Sequence, residues 1–226
     1  MLKKIIKESI GRSSGLSNDS IVLAFQAEMA EISKKYSIKM FKSESILRII
    51  SELTKLVVSK TDINDIMTYI LENAKIHLRA TAGTFYRVEG DRLVFSFISG
   101  GSSELKNGEL PINTSSIAGF VAVQKTPLIV NNPALDYRFN SSFDKKSKSG
   151  FTTENILCLP VMFNGRLYGV IQLLNKRDNV NCPVDFTEED GKGLELFANI
   201  AAMAIDNRNQ VEQLTKTVAK QAAIEI

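Results

Sequence analysis

The chain has 226 residues, of which 44% are hydrophobic and 23% charged, which excludes wholesale disorder and leaves room for one full domain plus long helices. Lys and Arg number 28 against 25 Asp and Glu, and a surplus of +3 is too small to point to nucleic acid. Two cysteines and a single histidine exclude a disulfide framework, a four-cysteine zinc site and a multi-histidine metal centre, and fit a reducing cytoplasm.

No run of about 18 apolar residues occurs, so neither a membrane span nor a membrane partner is expected. The basic start from Met1 to Ile10 lacks the apolar core of a signal peptide, and residues 1–19 read as a basic flexible tail. From Gly83 to Gly193 lie eleven of the 13 glycines and all 5 prolines. The chain therefore reads as a helical arm, a loop-rich mixed domain and a helical exit.

In the arm, Val22, Phe25, Met29, Ile32, Tyr36, Lys39, Ser43, Ile46, Ile50, Leu53 and Val57 alternate steps of three and four. Such a stripe predicts a helix that packs along a partner, with Lys39 and Ser43 weakening its middle. Thr61 and Asp62 suit a fresh cap. Behind them Ile63, Ile66, Met67, Ile70, Leu71, Ala74 and Leu78 make a broad apolar face fit to cover a sheet. His77, near the end of that helix, reads as a solvated or core-edge imidazole.

The middle reads as strands. Residues 82–88 and 93–98 flank the turn Glu89-Gly90-Asp91-Arg92. A short helix is expected over 116–124, a strand over 128–130, and a polar loop from Asn131 to about Asn155. Residues 156–163 and 167–174 enclose Asn164-Gly165-Arg166, and Asn-Gly supplies the positive φ that tight hairpins need. A second polar loop, from Lys176 to Asp185, precedes the exit helix. There Phe197, Ile200, Ala204, Asn207, Val211, Leu214, Val218 and Gln221 repeat the seam of the arm, with polar Asn207 suited to fixing register. The expected fold is α+β: an antiparallel sheet with helices packed on one face, flanked by long N- and C-terminal coiled-coil helices. A homodimer through both sets of helices is expected.

No catalytic motif is present: neither Gly-x-Gly-x-x-Gly, a Walker loop, His-Glu-x-x-His nor Cys-x-x-Cys occurs. What does occur, in order, is Ser116-Ile-Ala-Gly-Phe-Val-Ala122, Pro127-Leu-Ile-Val-Asn-Asn132, Asp136-Tyr-Arg-Phe139, the run from Ser149 to Cys158, and Tyr168-Gly-Val-Ile-Gln-Leu-Leu-Asn-Lys176. At these residues the chain resembles the GAF domain family, and within it the regulatory domains of cyclic-nucleotide phosphodiesterases and some bacterial adenylate cyclases. The resemblance covers roughly residues 45–210, leaving 20–44 as the helical arm and 211–226 as the exit helix.

The resemblance implies a non-catalytic, cytoplasmic sensor with a small-molecule pocket and no resident cofactor or metal. Cyclic AMP and cyclic GMP are the candidate regulatory ligands, and an effector domain or partner protein is the implied reader. By position it implies ligand contacts from Ile98 and Ser99 ending a strand, and from Ile117 and Ala118 opening the short helix. Asn140, Asp144, Ser149 and Thr153 would contribute from the loop, with Gln172 on the last strand and Gly83 on the first. Free N–H groups at a helix start attract phosphate, hydroxyls can bond a purine edge or ribose, and a Gln amide both donates and accepts.

There are departures. Ile98 and Ser99 stand where relatives often have an aromatic or acidic residue, Asn140 where some have tyrosine, and Gly83 where some have serine. The loop also carries Lys145, Lys146 and Lys148. The family's structural motif is present as Asn175, Lys176, Phe186 and Asp190, with Gly191 in place of the final Glu. Two other readings stay open. One is a dimerisation module with an empty pocket. The other is an enzyme like the free methionine sulfoxide reductases of the family, for which Cys182 in a polar loop is a better thiol than Cys158 in a strand.

Overall fold

A computed structural model describes residues 51–52, 62–100, 108–140 and 151–222. The chain divides into two compact units, Met1–Asp62 and Ile63–Ile226. The seam from Val22 to Val57 lies almost wholly outside the described residues.

Helix α1 (Ile63–His77) starts directly after Asp62 and buries Ile66, Met67, Ile70, Leu71 and Ala74, the stripe that the three-and-four spacing demands. Asp65 in its first turn and Lys75 in its last complement the helix dipole. Strands β1 (Ala80–Glu89) and β2 (Arg92–Ser99) form a hairpin, and β3 (Glu109–Pro111) adds to its outer edge. Helix α2 (Ile117–Gln124) and the short β4 (Leu128–Val130) follow, and then a 3-10 turn (Pro133–Leu135). Strands β5 (Ile156–Phe163) and β6 (Arg166–Lys176) are joined at Asn164 and Gly165, whose φ values are 49° and 80°. The last element is α3 (Glu188–Ala222), 35 residues and about 50 Å long at 1.5 Å per residue.

The six strands are ordered β3-β2-β1-β6-β5-β4, and every neighbouring pair is antiparallel. Helices α1 and α3 pack on the sheet and on each other, while α2 lies against β5 and β6. The register sorts side chains between the two faces. Gly83 points at α1, since a Cβ there would stand 2.9 Å from Leu173 Cδ2 and 3.0 Å from Leu71 Cδ1. Tyr86, Phe95, Cys158 and Val170 point the other way, into an apolar cluster with Ile117, Ala118 and Val121 of α2.

One residue breaks the alternation usefully. Val161 pairs with Gly169 and Met162 with Leu167, so Tyr168 is an extra residue on β6. Such a bulge re-aims a side chain. Tyr168 is turned onto α3, where its hydroxyl donates to Asp206.

Along α3 the apolar seam divides in two. Leu194, Phe197, Ile200, Ala201 and Ala204 are buried in the domain. Beyond Asn207 the same stripe continues in solvent, with Val211 at 42% and Leu214 at 51% exposure. Among the described residues no helix is long and apolar enough to cross a membrane.

Candidate functional site

The sheet face under α2 is the candidate site, and α2 is set there by three local devices. Ser116 is its N-cap, with extended backbone and a hydroxyl that accepts from Gly119 N–H at 3.0 Å. Phe120 N–H bonds Ser116 O at 2.8 Å. The N–H groups of Ile117 and Ala118 have no intrahelical acceptor, as the first turn of a helix requires. Gly119 lets the preceding loop press close, because a Cβ would meet Asn113 O at 2.5 Å and Pro111 O at 2.8 Å. On the outer side, the Arg138 guanidinium lies 4.2 Å over the Phe120 ring. It is held there by Asp136, which accepts from Arg138 Nε at 2.8 Å and Nη2 at 2.6 Å. Those hydrogen bonds hold the Asp136 carboxyl below the usual carboxylate range against the opposing effect of burial.

Opposite α2 the sheet offers a polar row in an apolar wall. Thr84 of β1 pairs with Gln172 of β6, and Gln172 with Cys158 of β5, so the three side chains share a face at about 5 Å spacing. The Cys158 thiol points at Gln172 Oε1, 3.8 Å away. Complete burial of Cys158 raises its pKa far above the ordinary thiol range, so the group is a protonated SH and no nucleophile. Cys182 is exposed in the loop after β6.

Ile98, Ile117, Ala118 and Gln172 are therefore brought to one face of the sheet. Thr153 stands half-buried just ahead of β5. Asn140 is exposed and ends the second described stretch, and Asp144 and Ser149 lie outside the described residues. Two of the expected contacts point elsewhere. Ser99 pairs with Gly83 and faces α1, where its hydroxyl takes a hydrogen bond from Lys75 and donates one to Glu72. Burial raises the Glu72 carboxyl, but the bonds from Lys75 and Ser99 outweigh it and leave the pKa lowered. Gly83 faces α1 as well, and its neighbour Thr84 occupies the site face. Thr84 and Tyr86 share the site face but were not among the expected contacts, and Cys158 was weighed only as a strand thiol. Strand alternation counted from Gln172 across the register would have found them.

The motif residues form one hydrogen-bonded frame behind the site. Asn175, buried at φ 58°, accepts from Glu154 N–H at 2.8 Å and donates to Thr152 O at 2.7 Å, gripping both neighbours of Thr153. Asn155 accepts from Lys176 N–H at 2.9 Å and donates to Val184 O at 3.0 Å. Asn131 holds Phe186 by its N–H and its carbonyl, both at 3.0 Å. Lys176 Nζ lies 2.5 Å from Asp190 Oδ2. Thr187 and Asp190 also close a capping box at the start of α3, with Thr187 N–H to Asp190 Oδ2 at 2.7 Å and Asp190 N–H to Thr187 Oγ1 at 3.3 Å.

An antiparallel sheet with long helices on one face and a short capped helix over the other defines an α+β architecture. The GAF domain family model matches residues 60–206, and the chain belongs to that family. Similar proteins include a probable 3',5'-cyclic phosphodiesterase (pde-5) of Caenorhabditis elegans, 34% identical over 114 residues, which are 50% of this chain and 15% of that protein. Another is the dual 3',5'-cyclic-AMP and -GMP phosphodiesterase 11A of Takifugu rubripes, 28% identical over 69% of this chain and 18% of that protein. The match thus spans less than a fifth of either relative. Among solved structures, the GAF domain of a phosphoenolpyruvate-protein phosphotransferase from Coxiella burnetii superposes with a TM-score of 0.61 at 15% identity, covering 74% of this chain and 96% of that one. A free methionine-R-sulfoxide reductase from Neisseria meningitidis superposes at 0.56 and 15%, covering 76% and 95%. At such identities the likeness shows the fold alone.

Proposed function

We propose that this GAF domain is a non-catalytic sensor that holds a cyclic nucleotide between α2 and the sheet and passes its occupancy to a pair of dimerised α3 helices. The observation that carries the reading is the facing of two unlike surfaces. On one side are the Ile117 and Ala118 N–H groups at a helix start, where a phosphate is favoured. On the other is the polar row Thr84, Gln172 and Cys158 in an apolar wall, which suits a base or ribose. The cyclic phosphodiesterases among the relatives point to the same ligand class. The protonated, buried Cys158 thiol favours binding over thiol chemistry.

Occupancy has a structural route outward. Gln172 sits on the strand whose ends are tied to α3, through Tyr168–Asp206 at one end and Lys176–Asp190 at the other. Calorimetric titration with cyclic AMP and cyclic GMP, each to millimolar concentration, tests the reading. One of them is expected to bind and, at a hundredfold excess over Kd, to stabilise the fold by about 2.7 kcal/mol. That corresponds to a rise in melting temperature of roughly 5–10 °C. No heat and no shift with either nucleotide would contradict it.

A further inference from the structure

Tyr86 lies mid-strand on β1, on the α2 side of the sheet, and is 5% exposed. Its ring stands edge-on to Phe95 at 4.6 Å, within a cluster whose other members include Leu93, Ile117, Val121 and Val170. The hydroxyl has no hydrogen-bond partner among the described residues, whereas every fully enclosed side-chain nitrogen or oxygen among them has one. The Tyr86 oxygen is therefore not fully enclosed by protein, although it stands on the α2 side of the sheet within that cluster. An oxygen left so in an apolar wall is unfavourable unless something arrives to bond it. Burial, with the Cys158 sulfur nearby, pushes ionisation of the phenol well above its usual range. At physiological pH it is a neutral O–H donor.

We propose that the Tyr86 hydroxyl reads the ligand, donating a hydrogen bond to a ring nitrogen or carbonyl oxygen on the base of the bound cyclic nucleotide. This rests on the sensor reading above. Phenylalanine would fill the same space, so the hydroxyl contributes selectivity rather than packing. Its neighbours fit that role: the T-shaped Tyr86–Phe95 pair offers a flat aromatic edge, and Gln172 lies one strand away, beside Val170, the cross-strand partner of Tyr86.

The test compares the wild type with Tyr86→Phe by calorimetric titration of cyclic AMP and cyclic GMP, and by thermal melts without nucleotide. The variant is expected to melt at the wild-type temperature or slightly above it, and to bind the preferred nucleotide about three- to tenfold more weakly. Unchanged affinity would overturn the assignment. So would a nucleotide-free melting temperature several degrees lower, because the hydroxyl would then have a partner inside the protein. Binding of neither nucleotide by the wild type overturns the sensor reading and this assignment together. That failure is distinguishable because it appears in the unmutated protein.

Discussion

A single carboxylate oxygen at Asp190 accepts from Lys176 Nζ at 2.5 Å, from Thr187 N–H at 2.7 Å and from Thr187 Oγ1 at 2.9 Å. It therefore pins the end of β6 to the start of α3 and caps that helix with the same group. Removing one partner of a buried pair strands the other charge and typically costs ~3–5 kcal/mol. The Lys176 side chain keeps 17% exposure, which places Asp190→Ala at the low end, near ~3 kcal/mol. Urea unfolding is expected to give that loss, and a loss under ~1 kcal/mol would mean that water replaces the pair. These residues were legible in the sequence through its resemblance to the GAF family, whose structural motif they match: Asn175 and Lys176, then Phe186 and Asp190. Gly83 against Thr84 was not, because neighbouring strand residues face opposite sides and a slip of one exchanges them. Ser99 was lost by the same parity, paired with Gly83 on the helix side of the sheet.

At the scale of elements, hairpins and helices follow local chemistry. Asn164-Gly165 forms the tight turn expected of it, and the short helix expected over 116–124 runs Ile117–Gln124, with Ser116 as its N-cap. The bulge at Tyr168 had no such signal, since it exists only in the register between β5 and β6. Its consequence is an anchor between strand and exit helix whose strength depends on pH. The Tyr168 phenol is pushed up to about 12, first by burial and then by its bond to Asp206. A raised pKa favours the protonated form in the folded state. The stabilisation is therefore complete below the unfolded value of about 10 and is lost as pH rises toward about 12. Comparing the wild type with Tyr168→Phe isolates this contribution from other groups that titrate in alkali. The stability difference is expected to be level from about pH 7 to 9 and to shrink between about 10 and 12. A difference that stays level to about pH 12 would mean that the Tyr168–Asp206 bond does not form in solution.

For the molecule as a whole, α3 is the element that leaves the domain. Its seam is consumed by the core as far as Ala204, and Val211 and Leu214 then stand exposed at the same spacing. That spacing is the basis for proposing parallel pairing of two copies. Val211→Asp with Leu214→Asp is expected to convert a dimer to a monomer in sedimentation velocity at tens of micromolar. A wild type already monomeric there would end the coiled-coil reading. The sequence disclosed the seam but could not divide it, because the point where burial stops is set by where the sheet ends. The ligand was harder still, since helix amides carry no sequence signature beyond the cap that frames them. Amide NMR of the protein titrated with cyclic AMP and with cyclic GMP tests the central claim most directly. The account predicts that the Ile117 and Ala118 amide protons move strongly downfield with one nucleotide, while that of Gly119, already bonded to Ser116, moves little. Unmoved Ile117 and Ala118 signals at saturating nucleotide would contradict it.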